Sequence, residues 1–153
     1  MYQRILVPID GSTTANRGFA EALALARALK SSIRLIHVVT DLPTISPPLT
    51  PAAMQTLRDQ LYSSGESILH DALTAARATG VAVDSRLVEA LGADAGERVI
   101  EQAGQWPAEL IVCGTHGRRG VRRIVMGSDA EYILRHSPVP VLMVRAPEAS
   151  ERD

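Results

Sequence analysis

Five short apolar runs, each parted from the next by a longer amphipathic segment, set the organisation of this chain. Residues 5–9, 33–39, 81–88, 110–113 and 139–144 read as strands. The run at 5–9 is apolar without a break, as a strand covered on both faces would be. In the segments between the runs, apolar residues recur at helical spacing. Phe19, Leu23, Ala26 and Leu29 or Lys30 mark the inward stripe of a first helix, dense in alanine and so able to lie close to a sheet. Met54, Leu57, Leu61, Ile68, Leu69, Leu73 and Ala76 mark a second. Val99, Ile100 and Ala103 mark a third, and Ala130, Ile133 and Leu134 a fourth.

The punctuation agrees with this division. Ser12 to Thr14 are cap residues for the first helix. Thr50 followed by Pro51 is a cap with proline at the first helical position, and Gly80 closes the same helix. Asp94-x-x-Glu97 and Ser128-x-x-Glu131 have capping-box spacing. The third helix stops before Trp106-Pro107. Pro43, Pro47, Pro48 and Pro51 exclude a regular element between residues 40 and 51, leaving either a loop flap near the strand ends or a variable, mobile excursion. Pro138 and Pro140, at the start of the last strand, argue against a central place for it.

Strands alternating with helices give a parallel sheet with helices on both faces and right-handed crossovers. Ligands in such sheets bind outside the carboxyl ends of the strands, where the strand order reverses. Asp10 follows the first strand and Gly114 the fourth. If those two strands are neighbours, both residues reach one crevice.

Composition narrows the function classes. With 153 residues the chain is one domain, expected over 1–146, with a polar tail at 147–153. Lys and Arg number 16 against 17 Asp and Glu, a formal net charge of −1, which argues against DNA or anionic membranes as partners. Only one cysteine is present, so no disulfide joins two parts of the chain. No apolar run reaches the roughly 18 residues of a membrane span, and a cytoplasmic protein is expected. Cys113 reads as a small packing residue, Trp106 as core or subunit packing, and His37 as a packed, locally hydrogen-bonded side chain.

The candidate chemistry lies in residues 114–128, read GTHGRRGVRRIVMGS, between the fourth strand and the fourth helix. Gly114, Gly117, Gly120 and Gly127 allow tight turns and close approach of backbone to a ligand. Successive backbone N–H groups in such a loop form an anion-binding concavity, and a helix start adds more donors. Arg118, Arg119, Arg122 and Arg123 cannot all converge on one ligand, so most of them form a solvated face. The loop therefore reads as a phosphate site. It is not G-x-x-x-x-G-K-[ST], nor does G-x-G-x-x-G follow the first strand. Asp10 has two readings open to it: hydrogen-bond acceptor for a base or sugar, or Asx-turn at the start of the first helix.

Gly114-x-x-Gly117, nine residues, then Gly127-Ser128 resembles the G-x2-G-x9-G-[ST] motif of the universal stress protein family. The resemblance covers residues 2–146. Arg4-Ile5-Leu6-Val7-Pro8-Ile9-Asp10-Gly11-Ser12 is similar to the family's opening, Leu35-Ile36-His37-Val38 to its second strand, and Ser137-Pro138-Val139-Pro140-Val141-Leu142-Met143-Val144 to its closing strand. It implies a three-layer α/β sandwich, Rossmann-like and of the adenine nucleotide alpha hydrolase-like type, with a five-stranded parallel sheet in the order 3-2-1-4-5. It implies ATP or AMP as ligand, with or without Mg²⁺. Pro8, Asp10 and Val38 would line the adenine and ribose side. Gly114, His116, Gly117, Arg118, Gly127 and Ser128 would line the ribose and phosphates. Asp129 departs from the pattern, since the family usually places a hydrophobic or small residue there. Its carboxylate repels a triphosphate unless Mg²⁺ or an arginine intervenes. The function implied is a nucleotide-binding stress-response regulator acting as a dimer through residues 139–145. A slow ATP hydrolase and a nucleotide-free, chaperone-like protein are the alternatives.

Overall fold

The structure is a computed structural model and describes residues 1–40, 49–90, 92–115 and 126–145. The element order is β1 (Arg4–Pro8), α1 (Thr13–Leu29), β2 (Ser32–Val39), α2 (Pro51–Arg77), β3 (Ala82–Glu89), α3 (Ala95–Gln105), β4 (Leu110–Gly114), α4 (Ser128–His136) and β5 (Val141–Val144). The strands form one five-stranded sheet in the order β3-β2-β1-β4-β5, and every pair is parallel. β1, at the centre, has Ile5, Leu6 and Val7 fully buried, as its unbroken apolar run requires. β5 lies at an edge, in keeping with Pro138 and Pro140 before it.

Alternation along the strands divides the interior into two cores. Ile5, Val7, Ile33, Leu35, Leu110 and Val112 pack against Phe19, Ala22 and Ala26 of α1 and Leu69 and Ala76 of α2. Leu6, Ile36, Ile111 and Cys113 pack against Val99 and Ala103 of α3 and Ile133 of α4. Each large aliphatic side chain so buried contributes about 1.5–3 kcal/mol. The buried face of α1 is built from small residues, Ala15, Gly18, Ala22 and Ala26 around Phe19. That is why its axis comes close to the sheet.

Several helix ends differ from the sequence expectation. Ser12 caps α1 as expected, its side chain accepting the Ala15 N–H, and Thr50 caps α2 through Ala53. Lys30, however, is exposed in the left-handed conformation (φ 56°), terminating α1 rather than joining its stripe. Gly80 is left-handed (φ 73°) but lies beyond Ala78, the residue that caps α2. Neither expected capping box forms: Asp94 makes no side-chain cap bond, and α4 starts from Gly127, with Ser128 already inside the helix. Leu134, expected inward, is 49% exposed. α4 leans on α3, so Ala130 and Ile133 are covered and the neighbouring stripe is not.

Trp106 sits against the second core and carries the Arg34 guanidinium 4.8 Å above its ring. Arg34 in turn makes two hydrogen bonds to Asp84, 2.8 and 2.6 Å, across the β2–β3 register. His37 is buried, its Nδ1 2.8 Å from the Ile9 carbonyl. It packs under Gly65 of α2, where an added Cβ would lie 2.6 Å from His37 Cδ2 and 2.7 Å from Leu87 Cδ1. The bond to Ile9 prevents the ring from swinging aside. Gly65→Ala is therefore expected to destabilise the fold by about 1–3 kcal/mol. Gly104 of α3 faces open space, and Gly104→Ala is expected to stabilise by up to about 1 kcal/mol through helix propensity alone. Urea unfolding of the two variants checks the opposite signs; equal shifts would contradict the packing argument.

Candidate functional site

The sheet order reverses at β1. The chain runs outward from β1 through β2 to β3, then crosses back to β4 on the other side of β1. β1 and β4 pair directly, Leu6 opposite Ile111, so their carboxyl ends open on one crevice. Pro8, Asp10 and Gly114 are brought there together.

Asp10 begins the turn out of β1. Its Oδ1 accepts the Ser12 N–H at 2.9 Å, an Asx-turn, while Gly11 takes the left-handed conformation (φ 80°) that such a turn requires. Ser12 Oγ then accepts from Ala15 and starts α1. The same segment is held from β2: the Ile9 N–H donates to the Ile36 carbonyl at 2.8 Å, and His37 binds the Ile9 carbonyl. His37 thus steadies the backbone that presents Asp10. Val38, next along β2, is half-buried on the α3 side of the sheet.

Gly114 has a structural reason to be glycine. A Cβ there would lie 2.7 Å from the Thr14 carbonyl carbon and 2.9 Å from the Ala15 nitrogen. Gly18, one turn on, would place a Cβ 3.3 Å from the Gly114 nitrogen. The first turn of α1 and the end of β4 therefore meet backbone to backbone. Beyond Gly114 the Thr115 N–H donates to Val144 at 3.0 Å, and the Thr115 carbonyl accepts the Gly127 N–H at 3.0 Å. That second bond ties together the two feet of the glycine loop. His116, Gly117 and Arg118, with Gly120 and the other loop arginines, lie outside the described residues.

Gly127 precedes α4 with φ −63° and ψ 150° and no side chain to cap it. The N–H groups of the first turn of a helix have no intrahelical partners. Gly127 supplies no side chain to satisfy them, and the exposed Ser128 is the first helical residue rather than the cap. Asp129 is engaged elsewhere: its Oδ1 accepts the Gly96 N–H of α3 at 3.3 Å. It supplies an acceptor to the helix end that the Asp94 side chain leaves uncapped. Asp94, Ser128, Asp129 and Tyr132 border a groove of about 310 Å³ between the starts of α3 and α4.

Cys113 is buried at the end of β4, its thiol pushed up to about 12 by burial and its Sγ 3.2 Å from Met143 Sδ. A thiol that stays protonated through neutral pH is a packing group, not a nucleophile. Among the described residues no group of three His, Cys, Asp or Glu side chains could hold a metal ion. No helix among them is long and apolar enough to cross a membrane. The contacts of Gly18 with Gly114, of Gly65 with His37, and of Gly96 with α4 were not anticipated from sequence. A glycine inside a helical pattern was their only signal.

The strand order defines a doubly wound α/β protein whose order reverses between β1 and β4. Comparison with known proteins narrows this: residues 1–145 match the Universal stress protein family, and the chain belongs to that family. It is 28% identical to a universal stress protein of Methanocaldococcus jannaschii, over 97% of this chain and 85% of that one. Among solved structures, a family member from Burkholderia pseudomallei is 34% identical with a TM-score of 0.75, covering 95% of this chain and 97% of that one. A universal stress protein solved with cAMP is 26% identical with a TM-score of 0.69, covering 94% and 97%. Proteins of the same fold have been solved with dAMP, from Archaeoglobus fulgidus, and with AMP, from Arabidopsis thaliana, at 22% and 16% identity.

Gly114→Ala separates the packing role of this glycine from any contact with ligand. With backbone atoms in the way, the variant is expected to lose about 1–3 kcal/mol of stability or more in the absence of any nucleotide. Thermal unfolding of the ligand-free protein measures this. A midpoint equal to that of the parent would leave ligand approach as the reason for glycine.

Proposed function

We propose that this protein binds an adenine nucleotide, ATP or AMP, in the β1–β4 crevice and serves as a cytoplasmic stress-response regulator. The observation that carries the reading is the start of α4 at Gly127, which has no side-chain cap and is tied through Thr115 to the end of β4, the strand paired with β1. A helix start whose N-cap residue has no side chain, beside a strand end, favours a phosphate group. The family members and fold neighbours solved with cAMP, dAMP and AMP support the adenine part of the reading.

In this reading Pro8, Asp10 and Val38 line the base and ribose. Gly114, His116, Gly117, Arg118, Gly127 and Ser128 line the ribose and phosphates, with Asp129 beside them. One Asp10 oxygen serves the Asx-turn, which orients the carboxylate. A hydrolase would need a carboxylate to orient water or metal. Asp129, the local candidate, accepts the Gly96 N–H instead, which favours a binding and regulatory role. Calorimetry with AMP and with ATP, with and without Mg²⁺, tests the site. Saturable binding at one site per chain is expected, weakened by Gly117→Leu, which blocks close approach. Absence of heat at millimolar nucleotide would sink the reading.

The regulator is proposed to act as a homodimer joined along β5, residues 139–145. β5 is an apolar edge with Leu142 38% exposed. An open apolar edge invites pairing with a second chain, and two-fold pairs are the commonest assemblies. Sedimentation equilibrium is expected to give twice the 16.4 kDa chain mass. The Pro140 and Val144 carbonyls accept from β4, so Met143 turns its N–H to the outer edge, and Met143→Pro is expected to split the dimer by removing that donor. The single-chain mass at all concentrations would reject the pairing.

A further inference from the structure

We propose that His37 is a positioning residue for the base side of the crevice: by taking the Ile9 carbonyl it stops the β1–β2 ladder one bond early and leaves the Val38 N–H open to the base. This rests on the reading of the crevice as an adenine-nucleotide site. It concerns only the ends of β1 and β2, at Ile9, His37 and Val38.

The ladder between the two strands fixes what should come next. Pro8 stands opposite Ile36, and the Ile9 N–H donates to the Ile36 carbonyl at 2.8 Å. In a parallel sheet alternate residues of a strand turn their N–H and carbonyl to the same neighbour. Ile36 faces β1, so Val38 faces β1 as well. Val39 faces β3, where its carbonyl accepts the Ala90 N–H at 2.9 Å. The next rung would join the Val38 N–H to the Ile9 carbonyl. Among the described residues that bond does not form. β1 ends at Pro8, and the Ile9 carbonyl lies 2.8 Å from His37 Nδ1 instead. A carbonyl only accepts, so Nδ1 carries the proton and donates it.

The ring is held in that place. It is buried, and a Cβ on Gly65 of α2 would stand 2.6 Å from its Cδ2 and 3.1 Å from its Nε2. Leu87 of β3 is its partner in register. Leu35 and Val39, two residues to either side on the same strand, are buried aliphatic side chains. A group serving only to fill this space would be aliphatic too, because a buried polar ring is costly unless it is bonded. The bond it makes is to the carbonyl that would otherwise extend the ladder. The Val38 N–H is thereby left pointing past the end of β1, toward the turn that Asp10 begins. A main-chain donor fixed by a paired strand orients a planar ligand that carries a ring-nitrogen acceptor.

The test is amide hydrogen exchange followed by NMR, together with calorimetry of AMP, on the parent protein, His37→Leu and His37→Asn. Leucine fills much of the space without a donor. Asparagine fills less of it but returns a donor near the place of Nδ1. In the parent, AMP is expected to slow exchange at the Val38 N–H. In His37→Leu the Ile9 carbonyl is released to Val38, so exchange there is expected to be slow before any ligand is added. AMP is expected to bind that variant about tenfold more weakly, the scale of one hydrogen bond. His37→Asn is expected to restore fast exchange and most of the affinity, although it packs less well. If His37→Asn binds AMP as weakly as His37→Leu, His37 is a packing residue and the inference is overturned. Unaltered Val38 exchange or unaltered AMP affinity in His37→Leu overturns it as well. Should neither variant fold, the parent decides alone: Val38 exchange unchanged at saturating AMP overturns the inference while leaving the nucleotide site standing. Absence of AMP binding to the parent overturns the nucleotide site and this inference together.

Discussion

The backbone contact between the first turn of α1 and the end of β4 is the constraint on which the crevice depends. Gly114 abuts Thr14 and Ala15, and Gly18 abuts Cys113 and Gly114, with no side chain between. The contact is possible only because α1 is lined with alanine and glycine where it meets the sheet. It fixes the distance between the turn after β1 and the strand that feeds the glycine loop. The Asx-turn at Asp10, the cap at Ser12 and the bond from His37 to Ile9 all hold the β1 side of that distance. The bonds of Thr115 to Val144 and Gly127 hold the β4 side. A larger residue at either glycine would push apart the two walls that any ligand must span.

Much of the fold was legible because hydrophobic periodicity and burial arise from the same cause. The unbroken run at Ile5, Leu6 and Val7 announced a central strand, and prolines 138 and 140 announced an edge. The strand order is a different matter. No local signal states that β4 returns to lie beside β1, and the order came from resemblance to a family before pairing showed it. Within the site, the sequence placed Asp10, Gly114 and Gly127 near one another because each follows a strand or precedes a helix. Glycine signals backbone freedom without saying what approaches. Gly114 was read for a ligand, and the nearest approach to it is by α1.

The helix starts show where local reading fails. A capping box requires the acidic residue to lie in its own helix, and the spacings at Asp94 and Ser128 satisfied that requirement on paper. In three dimensions the acceptor for the start of α3 comes from α4, through Asp129. A cap supplied from another helix leaves no spacing to detect. Its trace is Gly96, small enough to admit the Asp129 carbonyl and the Tyr132 side chain. At the start of α4 itself Gly127 is the N-cap, so the Ser128 hydroxyl stands in the helix rather than before it.

The two edges of the sheet are built on different terms. β3 is long, and its exposed positions carry Asp84, Arg86 and Glu89. Asp84 is held by Arg34, and Glu89 lies 3.7 Å from Arg58 of α2. Exposed ion pairs of this kind add little stability. They do make a further strand unwelcome, because its arrival would strip water from charges already committed to partners. Among the described residues β5 carries no such ion pair: its strand is Val141, Leu142, Met143 and Val144, preceded by proline. Its shortness limits the number of backbone groups on offer, and proline before it sets where pairing can begin. The two edges thus differ in length and charge: β3 is long with charged exposed positions, and β5 is short and apolar.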